Sequence, residues 1–174
     1  MKRQIFQLIA ALSAAVVSGG CFFPRGAQLT VVEYAPELRP VSRVLSTAQV
    51  GSVVNLSGSG REFVIRKKNG RVVCDESRRW LISPERMLKN SMLLYCSGTG
   101  NSRISAEVLK FEFSGNLSAL SGMVRFRSRT GSGGEASRVV AAEVKIADRD
   151  YGSCAAELWE KLLNEFFKDS RVLK

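Results

Sequence analysis

Among its 174 residues the chain has no histidine. That removes Ser-His and Cys-His nucleophilic pairs and the usual mixed Cys/His zinc sites. The reactive residue types that remain are Cys21, Cys74, Cys96 and Cys154, with two small carboxylate groups, Asp75-Glu76 and Asp148 with Asp150. No two cysteines stand in C-x-x-C spacing, and no phosphate-loop or Ser-x-x-Lys motif occurs. Neighbours on a strand point to opposite faces, so Asp75 and Glu76 make a poor acid–base pair. Asp148 and Asp150 flank a loop before a predicted helix, where capping and solvation account for them. These absences point to a binding or scaffolding protein rather than an enzyme, with no metal and no cofactor.

One cysteine has a chemistry of its own. Met1-Lys2-Arg3 is a short cationic start, Ile5 to Val17 is almost wholly apolar, and Ser18-Gly19-Gly20 leads into Cys21. This is the layout of an export signal, too short to span a bilayer comfortably as a permanent helix. Cleavage before Cys21 leaves its thiol to carry diacylglycerol, which tethers a water-facing domain to a membrane by lipid. Ser18 stands three before the cysteine, where an aliphatic residue is usual, with Val17 one place further out. Ordinary secretion by a peptidase accepting Ser18 and Gly20 is therefore the alternative. The expected division is a signal at 1–20, a lipidated N-terminus and tether at 21–28, one domain at 29–169, and a tail at 170–174.

After cleavage, 24 basic residues face 16 acidic ones, a formal charge of +8. For an exported chain this favours anionic lipid headgroups or an acidic partner over nucleic acid. The residues are scattered rather than blocked, so a merely solvated surface is the plain alternative. With Cys21 acylated, three cysteines remain for an oxidising compartment, enough for one disulfide and one thiol. Cys74–Cys96 is the favoured pairing because the two flank one predicted helix. Three small buried hydrophobes are the other reading.

The elements that must position these residues follow from pattern. Leu29 to Tyr34 reads as a strand, closed by Pro36 and Pro40, and 43–56 is ambiguous between strand and helix. Phe63–Lys67 and Arg71–Cys74 flank Asn69-Gly70, predicting a two-residue β-hairpin. Ser83-Pro84-Glu85 starts a helix by cap, first-turn proline and dipole. Its apolar side is Met87, Leu88, Met92, Leu93, Leu94 and Tyr95. Ser102–Phe113, Leu117–Arg129 and Arg138–Ile146 read as an antiparallel meander joined by short turns. A final helix over about 152–168 carries the stripe Ala155, Leu158, Trp159, Leu162, Leu163, Phe166 and Phe167. The expected fold is α+β and single-domain: a largely antiparallel sheet, hairpin plus three-strand meander, packed against two main helices.

Two features read as contact surfaces. Arg125, Arg127 and Arg129 alternate on one strand face, suited to headgroups or an acidic partner, though exposed strand faces are often charged. Trp80, after Arg78-Arg79, is an interface anchor or packs on the neighbouring helix.

The succession of export signal, strand, Phe63-Val-Ile-Arg66 with its hairpin, Arg79-Trp80, Pro/Glu-started helix, paired strands with Phe111 and Phe113, and apolar last helix resembles the ABC-type transport auxiliary lipoprotein family. The resemblance covers most of 29–168. It implies partners rather than chemistry: an MlaE-type permease with its ATPase, and a mammalian-cell-entry (MCE) domain protein, moving lipid across an envelope. It also implies an accessory at the outer membrane that docks the MCE protein as a homo-oligomer. Phe22 after Cys21 is not the aspartate associated with inner-membrane retention. The alternative is a structural lipoprotein of another envelope or secretion assembly, since fold does not dictate function.

Overall fold

A computed structural model describes residues 30–37, 44–147 and 150–168. The signal, Cys21, the tether, Pro40, Asp148 and the C-terminal tail lie outside the described residues.

The three long strands are β5 (Arg103–Ser114), β6 (Ala119–Arg129) and β7 (Glu135–Lys145), and they form the antiparallel meander that their alternation predicts. Leu120, Val124 and Phe126 of β6, with Val140 and Val144 of β7, are buried on one face. Against that face lie two helices, α1 (Pro84–Tyr95) and α2 (Tyr151–Phe167), sharing a single hydrophobic core with the sheet. Burial along α2 follows the stripe: Ala155, Leu158, Trp159, Leu162, Leu163 and Phe166 are each at most 1% exposed. Asp150 caps it by accepting from the Ser153 backbone N–H at 2.9 Å. On the outer side, Lys161 pairs with Glu157 at 2.9 Å. Gly122 of β6 lets α2 come close, because a Cβ there would stand 3.0 Å from Leu158 Cδ2.

Four further strands complete a seven-stranded sheet: β1 (Val32–Tyr34), β2 (Gln49–Asn55), β3 (Glu62–Arg66) and β4 (Val72–Trp80). The order is β1-β4-β3-β5-β6-β7, and β2 lies parallel along the first half of β5 while β3 lies parallel to its end. One edge of β5 is thus shared by two short strands. The result is an α+β domain with a largely antiparallel sheet and two helices.

Several expectations need correction. The ambiguous stretch before Leu56 is strand β2, and its alternation was hidden by a bulge. Val50 faces Ile104 and Val53 faces Ala106, so Gly51 and Ser52 together oppose Ser105. The hairpin at Asn69-Gly70 is real, but its turn is not the two-residue type. Only Gly70 takes positive φ, at 81°. Its N–H donates to Lys67 O and the Lys67 N–H to Arg71 O, which makes a turn closed by a glycine bulge. Beyond Cys74 the second strand continues to Trp80 through another irregularity, with Phe63 facing Asp75 and Glu62 facing Arg79. Within it, Asp75 accepts from the Ser77 N–H and hydroxyl and pairs with Arg78 at 2.9 Å. In α1, Ser83 holds the capping position, yet its hydroxyl donates to Glu85 rather than accepting from the backbone. Leu93, assigned to the apolar side, is 55% exposed.

Candidate binding face

With both helices on one face, the other face of the meander meets solvent. Its side chains are those whose parity opposes the core: Arg103, Ser105 and Glu107 on β5, and Met123, Arg125, Arg127 and Arg129 on β6. The predicted arginine row is therefore present on the open face, but its members are not equivalent. Glu107 stands directly across from Arg125. One of its carboxylate oxygens takes Arg125 at 2.8 Å and the other takes Arg127 at 2.7 Å. These pairs are partly exposed and contribute modestly to stability, but they offset much of the positive field at the middle of the row.

The end of the row differs. Arg129 faces Arg103, a residue that sequence reasoning missed, in the cross-strand register. Both are exposed, and neither has an ion-pair partner among the described residues. Like charges directly opposite on a ladder repel. Arg103 was invisible as a site residue because only the pairing of β5 with β6 sets it beside Arg129. A groove of about 300 Å³ opens there, and its lining includes Ser52, Arg103, Ser105, Glu107, Arg129 and Glu135.

The other predicted contact residue does not reach the surface. Trp80 is 1% exposed at the end of β4, with ring centroids 4.6 Å from Phe63, 5.4 Å from Phe111 and 5.9 Å from Phe113. It anchors the core on aromatics of the sheet rather than a partner.

The Cys74–Cys96 disulfide is absent: neither cysteine is bridged. Cys96 bridges Ser46, just before Gln49 faces Arg103 at one end of β5. Cys74 faces Val64, next to Ile65, which faces Phe113 at the other end. At about 3.3 Å per residue, those ends lie roughly 30 Å apart. A disulfide needs Cα atoms within about 7 Å. Cys74 is exposed, whereas burial pushes the Cys96 thiol up to about 11. Adjacency to one helix misled because β4 carries Cys74 far from the helix start.

Among the described residues no group of three potential ligands could hold a metal, and no helix is long and apolar enough to cross a membrane.

No family model matches the chain, and no curated protein is similar to it. Solved structures are. An uncharacterised protein aligns with TM-score 0.61 and 16% identity, over 83% of this chain and 99% of its own. Protein XCC0632 from Xanthomonas campestris, of the DUF330 family, aligns with TM-score 0.57 and 16% identity, over 79% of this chain and 91% of its own. At this identity the likeness establishes a shared fold.

Proposed function

We propose that the protein is a non-enzymatic, lipid-anchored envelope protein that serves an MCE/ABC-type lipid transport system. In this reading Cys21 carries the lipid, and 21–28 holds the domain close to the outer membrane on its periplasmic side. Several copies assemble there to dock the end of an MCE-domain protein fed by an MlaE-type permease and its ATPase. The observation that carries the reading is the open sheet face bearing Arg125, Arg127 and Arg129, on a domain that a lipid on Cys21 would tether at a membrane. A strand face with exposed cationic side chains suits a protein partner with acidic groups. The sequence resemblance, which spans the same strands and helices, supports the choice of partner. Affinity capture of the tagged full-length protein from solubilised envelopes tests it: an MCE-domain protein should co-purify in stoichiometric amount. Repeated capture without one would exclude the assignment.

A further inference from the structure

We infer that the groove between Arg103 and Arg129 binds a phosphate group, as a phosphodiester lipid head or as free phosphate. The inference deepens the docking reading by giving its open face a ligand, and it rests on that reading for the biological source of the phosphate. Two arginines held opposite one another, without a carboxylate on either, form an unfavourable pair in the free protein. An anion between them removes the repulsion and gains charge-assisted hydrogen bonds from two planar donors. The one carboxylate that could compete from β5, Glu107, has both oxygens taken by Arg125 and Arg127. Glu135 faces Arg129 from β7 but makes no ion pair with it; it borders the site and disfavours more highly charged ligands.

The floor is built for this arrangement. The β2 bulge places Gly51 beneath the Arg103 stem, where a Cβ would stand 3.0 Å from Arg103 Cγ and even closer to Ser105 Oγ. Bulges on short strands commonly redirect side chains at sites of function. Ser52 and Ser105 add hydroxyls to the lining, and neither is committed to another protein group. Hydroxyl and guanidinium donors together match the oxygens of a phosphate.

Isothermal titration of the full-length protein in nonionic detergent tests the site, with inorganic phosphate in one arm. The other arm uses glycerophosphoglycerol, the soluble head of phosphatidylglycerol. Wild type should bind at least one probe at low salt, and the probe bound identifies the source. The double variant R103Q/R129Q should bind roughly tenfold or more weakly. Because both side chains are exposed, its thermal midpoint should not fall, which separates lost binding from lost folding. G51A should weaken binding by displacing the Arg103 side chain, with no change in the number of guanidinium groups. K67Q/K68Q, with the same charge loss at the hairpin turn by the far end of β5, should bind as wild type. Binding of neither probe, equal binding by R103Q/R129Q, or an equal loss in K67Q/K68Q would overturn the inference. Capture of an MCE partner is a separate observation and stands or falls independently.

Discussion

Glu112 of β5 accepts from Arg66 of β3 through both carboxylate oxygens, at 2.5 Å from Nε and 2.9 Å from Nη2. Glu112 is only 6% exposed, and Lys110 adds a third contact to its carboxylate at 3.0 Å. This clasp holds β3 to β5 where the two pair through only Ile65–Phe113 and Arg66–Ser114. Burial pushes the Glu112 carboxyl up, but the hydrogen bonds and charges of Arg66 and Lys110 outweigh it, so its pKa is lowered. Glu112→Gln should cost about 1–3 kcal/mol in chemical denaturation. A depressed folded pKa stabilises above the unfolded value and is lost as pH falls through the folded one. The gap between wild type and variant should therefore be flat above the ordinary value of 4.5 and shrink below it. A gap independent of pH would refute the clasp.

Cysteine reactivity checks that Cys74 and Cys96 are not bridged. A maleimide applied without reductant should label Cys74 in the folded protein, while Cys96 and Cys154 react only after denaturation. Peptide mass spectrometry reads the sites. Protection of Cys74 until reductant is added would restore a disulfide.

Core placement of Trp80 predicts a large stability effect. Trp80→Ala should lose about 3–5 kcal/mol, whereas Leu93→Ala, at 55% exposure, should stay within about 0.5 kcal/mol. Urea unfolding measures both. A mild Trp80→Ala with normal stability and weakened partner capture would return Trp80 to the surface.

Much of this fold is legible in residue order, because period and turn chemistry act locally. The meander was readable from Leu120, Val124 and Phe126 alternating with arginines, and α2 from its broad stripe. What escaped depends on pairing between distant segments. Gly51-Ser52 broke the alternation of β2, so the strand looked ambiguous until its bulge opposite Ser105 was seen. The Asn69-Gly70 hairpin was found, but whether one or both residues take positive φ is decided by strand register. Beside two arginines Trp80 reads either as an interface anchor or as packing on the neighbouring helix; only the sheet shows that Phe63 and Phe113 cover it. The arginine row was visible on β6, while Glu107 and Arg103 become its neighbours only through β5. Local patterns therefore located the face, and tertiary pairing decides which of its charges are available.

Anchoring is a separate claim on Cys21. Metabolic labelling with a lipid precursor should mark the wild-type protein and not Cys21→Ala, and the variant should leave the membrane fraction. Labelling that survives the substitution would eliminate the anchor.

Site-specific photo-crosslinking in intact envelopes tests whether the open sheet face meets the partner. A photoreactive residue replacing Arg125 or Val139, on the open sheet face, should link to an MCE-domain protein. The same residue at Leu93, exposed on α1, should not. Crosslinks to that partner from the sheet positions alone are the predicted result. Their absence from the sheet face, or equal yield from Leu93, would contradict the account.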